Sequence, residues 1–191
     1  MSARFAVCLF ALVGLFISCK PSKKEEKTAP AGGPGYFSIA QFISDQWNTH
    51  RGQPYGMQKV VYMNGKVDSS MISAFDVDWG PIFKTFIATD IIDLKYLDRY
   101  SFSEFADDAT MTHNFFYEAK EESLFTRKLH IAADDVNHRV RSIYIETSKN
   151  GKWSNFSQKL FYMPMKVISI QEFEWAETGP TKELRVEYRF L

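Results

Sequence analysis

Hydrophobic and polar residues alternate without a break near the C-terminus, with Leu184, Val186, Tyr188 and Phe190 set against Glu183, Arg185, Glu187 and Arg189. Successive strand side chains point to opposite faces, so this period of two predicts a strand with one face toward water. Similar stretches recur upstream at 110–119, 124–133, 139–147, 156–163 and 166–175. Most are separated by turn-forming residues, among them Asp134-Asp135, Asn150-Gly151 and Gly179-Pro180. Met163-Pro164-Met165 predicts a bend or an edge, because proline cannot donate to a sheet ladder. Nearer the N-terminus, 58–63 and 66–77 flank Asn64-Gly65, a pair suited to the two positive-φ positions of a type I′ turn. In the second arm Val67, Met71, Phe75 and Val77 share one face while Asp68, Ser70 and Asp76 share the other, which predicts a half-buried strand.

Two segments carry the helical period instead. After Ser38, the spacing of Phe37, Ile39, Phe42, Ile43 and Trp47 gives one apolar face that fades toward Gly52 and Pro54. Asp78-Trp79-Gly80-Pro81 has the form of a helix start, and Ile82, Phe83, Phe86, Ile87, Ile91 and Ile92 continue it as a stripe to about Leu97. The expected architecture is α+β: a curved antiparallel β-meander of about six to eight strands packed on one or two helices, in a single domain over 36–191.

The first 35 residues follow another logic. A basic start, Met1 to Arg4, leads into an apolar run over 5–17 that is shorter than the roughly 20 residues of a membrane-spanning helix. This is the pattern of a signal peptide over 1–18. Phe16-Ile17-Ser18-Cys19 resembles the lipobox of bacterial lipoproteins, with Phe16 where leucine is usual; Bacteroidota lipoproteins are similar in their looser residues there. The resemblance implies diacylglyceration of Cys19 and cleavage before it. Cys8 would leave with the leader, and no cysteine follows Cys19 to form a disulfide. Two or three acyl chains anchor stably where one does not. The next stretch, KPSKKEEKTAPAGGPG, is charged and rich in Pro and Gly, so 19–35 reads as a lipidated, flexible tether. Lys20 resembles the residue after the cysteine in outer-membrane lipoproteins, which implies the periplasmic side of the outer membrane. Lys23-Lys24-Glu25-Glu26 is similar to surface-export signals, which implies display on the cell surface as the alternative.

Charge narrows the partners. The 191 residues balance 23 Lys+Arg against 23 Asp+Glu, and 36–191 holds 18 against 21 with no basic cluster. Nucleic-acid binding needs a concentrated set of phosphate contacts and is not expected. Aromatic residues make up 16% of the chain, enough for a β-rich core and for an aromatic-lined cleft. Tyr62, Trp79, Phe83, Phe86, Tyr117 and Tyr144 come from different elements and are the candidate lining of a cleft for an apolar ligand.

The chain carries no recognised catalytic motif: no G-x-S-x-G elbow, no P-loop and no zinc-type spacing among His50, His113, His130 and His138. No metal or cofactor is expected. Asp76 and Asp78, two residues apart, would share a strand face about 7 Å apart and are the candidate acid–base pair of an alternative hydrolase reading. As structural residues, Asp78 would cap a helix and Asp76 would face solvent; Asp90 and Asp93 would form the solvated side of the second helix. The expected function is therefore that of a membrane-anchored, non-enzymatic envelope lipoprotein. Its domain would bind an envelope protein partner or an apolar ligand; the alternative is an envelope hydrolase using the carboxylate pair.

Overall fold

The computed structural model describes residues 37–96, 98–176 and 180–191. The leader, Cys19 and the tether lie outside them. Among the described residues no helix is long and apolar enough to cross a membrane.

The chain opens with helix α1 (Ile39–His50), which Ser38 caps by accepting from the Gln41 amide. Strands β1 (Gly56–Met63) and β2 (Lys66–Ser73) form the hairpin that Asn64-Gly65 predicts; both turn residues have positive φ, 49° and 81°. Helix α2 (Trp79–Ile87) follows, capped by Asp78 through the Gly80 amide. The rest is a meander: β3 (Tyr100–Asp107), β4 (Thr112–Ala119), β5 (Thr126–Asp134), β6 (Val140–Asn150), β7 (Asn155–Met163), β8 (Val167–Trp175) and β9 (Lys182–Phe190). Together they make one nine-stranded antiparallel sheet in the order β2-β1-β9-β8-β7-β6-β5-β4-β3.

The connection that the chain order hides is β1 against β9. Met57, Lys59 and Val61 stand opposite Phe190, Tyr188 and Val186, so the first hairpin extends the sheet beside its last strand. Backbone bonds finish the seam at both ends, Leu191 N–H to Gly56 O at 3.1 Å and Asn64 N–H to Glu183 O at 3.1 Å.

One sheet face carries the core. Ile168, Leu160, Tyr162, Ile143, Ile145, Leu129, Ile131 and Tyr117 line up across five strands and join Ile39 and Ile43 of α1 and Ile82 and Phe86 of α2 in one buried cluster. Phe42 and Phe86 meet Tyr162 edge-on, at 5.6 and 6.0 Å. Burying each such side chain contributes about 1.5–3 kcal/mol.

Three expectations change. The sheet has nine strands, because β3 is added at an edge where six successive residues are exposed and no buried period marks it. The second arm of the hairpin ends at Ser73: a capping box between Ser73 and Asp76 turns the chain into a short 3-10 turn, Ala74–Asp76. Val67, Met71 and Phe75 are accordingly 62%, 67% and 64% exposed, so this arm is an exposed edge rather than a half-buried strand. Finally, α2 stops at Ile87 instead of running to Leu97. The Thr89 hydroxyl donates to Phe86 O at 2.7 Å, and the Thr126 hydroxyl donates to Thr89 O at 2.9 Å. These bonds take up carbonyls at the end of the helix, while Ile91 still reaches the core from the loop.

Candidate functional site

The segment 50–55, the turn after β2 and the ends of β8 and β9 come together at one end of the core face, and the rings they carry form a circuit. Trp47 meets Phe83 edge-on at 5.6 Å, and Phe83 stacks on Trp79 at 5.5 Å. Trp79 stacks toward Phe190 at 6.4 Å, Phe190 meets Tyr55 at 5.8 Å, and Tyr55 meets His50 at 6.0 Å. His50 and Trp47, at the two ends of this chain of rings, lie three residues apart on α1, where helical neighbours fall on one side, so the helix itself closes the circuit. Each offset or edge-on pair adds about 0.5–1.5 kcal/mol beyond the area it buries.

These rings surround a cleft of about 190 Å³, with Tyr162, Ile168 and Met165 also in its lining and Phe75 and Val77 completing it from the turn after β2. Trp79 is held in place by its indole N–H, which donates to Ala74 O at 2.9 Å. Burial pushes the Tyr162 phenol up to about 12, so the hydroxyl stays protonated; it donates to Gln46 Oε1 at 3.4 Å. The remaining polar groups, those of Gln46, His50, Arg51 and Gln53, come from α1 and the segment after it. Apolar walls with a few convergent polar groups are the usual make-up of a small-molecule site.

Only part of the expected lining is here. Trp79 and Phe83 line the cleft, and Phe86 is fully buried in the adjoining core. Tyr117 lies four strands from β8, where with Phe115, Ile131 and Phe37 it lines a second hollow that is more open to solvent. Tyr62 and Tyr144 do not converge with the others: strand alternation puts them on the opposite sheet face. There Arg185 lies 3.8 Å over the Tyr62 ring, and the Tyr144 hydroxyl donates to Glu146 Oε1 at 2.6 Å. Burial, with Glu146 beside it, raises the Tyr144 phenol above its ordinary value.

Of the rings that line the cleft, Trp47, His50, Tyr55, Phe75, Tyr162 and Phe190 are missing from the sequence-based set. The alternation of β9 already placed Phe190 with the inward residues, and the period of α1 placed Trp47. Nothing in the pattern marks Tyr55, which lies in the loop after Pro54.

The carboxylates have structural partners. Asp76 Oδ2 accepts from the Ser73 amide at 3.1 Å, and Asp78 Oδ1 accepts from the Gly80 amide at 3.2 Å. Both are exposed, and they belong to the ends of two different helical turns rather than to one strand face. Asp93 is exposed, accepting from the Lys95 amide. Asp90 lies beyond α2 and points at α1, where its Oδ2 accepts from the Ser38 hydroxyl at 2.8 Å and the Ala40 amide at 2.9 Å. His113 shares the core face with Phe115 and Tyr117, whereas His130 is paired with Phe116 on the other face. Among the described residues no group of three or more His, Cys, Asp or Glu side chains is placed to hold a metal ion.

Comparison with known proteins gives no family model, no curated protein and no solved structure that matches the chain. The class defined by fold and site is a nine-stranded antiparallel sheet with two helices and an aromatic cleft at one end of the core face.

Proposed function

We propose that this is a lipoprotein anchored through acylated Cys19, on the periplasmic side of the outer membrane, whose domain binds a small apolar ligand in the cleft. A curved meander packed on both helices is part of the same proposal, since a sheet bent around α1 and α2 would keep the aromatic walls apart. The observation that carries it is the circuit of rings around unfilled space of about 190 Å³. A hydrophobic core is ordinarily packed to crystal-like density with few voids larger than a water molecule. Aromatic walls that leave such a space open match a binding site better than a core. The volume is below the roughly 300–1,000 Å³ of sites for drug-sized molecules, which favours a single ring or a short chain over a whole diacyl lipid.

Two experiments test the two halves. Replacing Cys19 with Ala should release the protein from membranes and abolish palmitate labelling; membrane association unchanged by the substitution contradicts the anchor. Titrating the full-length Cys19→Ala chain with 1-octanol should change tryptophan fluorescence saturably, because Trp47 and Trp79 are in the cleft wall. Phe75→Glu, at an exposed lining position, should weaken that binding by about tenfold, or ~1.4 kcal/mol. No saturable change in the parent, or no effect of the substitution, contradicts the assignment.

A further inference from the structure

The described lining of the cleft contains Arg51, which is always charged, and no aspartate or glutamate, although 36–191 as a whole has more acids than bases. Arg99, Arg141, Arg185 and Arg189 each meet a carboxylate within 3.4 Å. Arg51, like Arg127 and Arg139, makes no ion pair among the described residues, and of these three only Arg51 lines the cleft. Its backbone N–H closes α1 on Trp47 O at 2.8 Å, which fixes the base of its side chain beside the ring circuit. The helix end alone would disfavour an anion, since its free carbonyls carry partial negative charge. A full guanidinium charge outweighs that partial charge, and its planar fork matches a carboxylate.

We propose that the ligand is a small amphiphilic anion, its apolar chain or ring held within the aromatic circuit and its carboxylate-like head at Arg51. This rests on the cleft being a ligand site and adds the chemistry of the head group. The cavity supplies the apolar contact. Arg51, with no ion-pair partner among the described residues and no acid in the described lining, supplies the charge complementarity. Gln46 and Gln53 add neutral amide donors around the same opening. A cationic amphiphile would meet Arg51 with like charge and no carboxylate in the described lining.

Octanoate, 1-octanol and octylamine share one chain and differ in head group, so their affinities separate the chain from the charge. Titrated against the full-length Cys19→Ala chain by tryptophan fluorescence, octanoate should bind at least about tenfold more tightly than octylamine at low salt. Arg51→Gln should reduce that preference to about twofold or less, and Arg51→Lys should retain most of it. Salt should shrink the preference, as expected at a solvent-exposed charge. If octanol binds while octanoate and octylamine bind equally, the head-group assignment is overturned and the apolar site stands. If the preference survives Arg51→Gln, Arg51 is not the recognising group and the inference is overturned. If none of the three binds, the site itself fails and this inference with it.

Discussion

Asp90 joins parts of the chain that the sequence holds 50 and 52 residues apart, accepting from Ala40 and Ser38 at the start of α1 while its other oxygen accepts from the Ile92 amide. Its spacing in the sequence fits the solvated side of a helix. That expectation fails because α2 ends before it, and a free helix N-terminus elsewhere supplies the better partner. Ser38, Asp78 and the Asn64-Gly65 turn were legible because each acts on its immediate neighbours. His130 was not, because its environment is built across strands. Its ring stacks on Phe116 at 4.1 Å, and Nε2–H donates to Asn114 Oδ1 at 2.9 Å, the Asn114 amide nitrogen being used by Thr112. Burial lowers the His130 pKa below the ordinary 6.5. The unfolded chain therefore takes up the proton at higher pH than the folded one. The stability held above pH 6.5 should then fall as pH drops through the lowered folded value. Urea midpoints compared at about pH 5 and about pH 7.5 should show this acid loss, and His130→Gln should reduce it. An equal acid loss in the variant would show that other groups cause it.

Among the elements, the long periodic ones matched expectation to within a few residues. Strands β4 to β9 carry their alternation into a sheet with one core face, and the pattern alone was enough to find them. The edges were less legible. β2 and β3 lie at the two ends of the sheet and are exposed along most of their length, so no buried face imposes a period on them. β2 is instead held by its turn and by full pairing with β1. The turn is thus the sensitive point of the hairpin. Gly65 has φ of 81° with nothing within 4 Å of an added Cβ, so Gly65→Ala would meet conformational strain without a clash. It should cost about 1 kcal/mol, read as a lower urea midpoint at unchanged slope. A neutral or stabilising result would contradict the positive-φ requirement at this turn.

For the whole molecule, the sheet order decides what the cleft is made of. Pairing β1 with β9 brings Tyr55, which precedes the first strand, next to Phe190 of the last one, and Phe190 in turn stacks toward Trp79. No local pattern encodes that meeting, and this is why the aromatic residues were apparent as a class while their partition was not. Alternation separates the faces once the register is known. On the face away from the core, Phe116, His130, Tyr144 and Phe161 form one cross-strand row, and Glu118, Lys128, Glu146 and Lys159 form the next. Opposite charges across strands contribute roughly 0.2–1 kcal/mol per pair and suit a face that meets water. Tyr62 and Tyr144 belong to this second face, Trp79 and Phe83 to the cleft.

The four tryptophans provide a direct readout of that partition. Trp47 and Trp79 line the cleft, Trp153 is 81% exposed between β6 and β7, and Trp175 ends β8 on the face away from the core. Their indole N–H signals can be followed separately by two-dimensional NMR while octanoate is added to the full-length Cys19→Ala chain. A ligand in the cleft should shift the Trp47 and Trp79 signals saturably and leave those of Trp153 and Trp175 in place. Equal shifts at all four positions, or none at Trp47 and Trp79, would contradict the assignment of the cleft as the binding site.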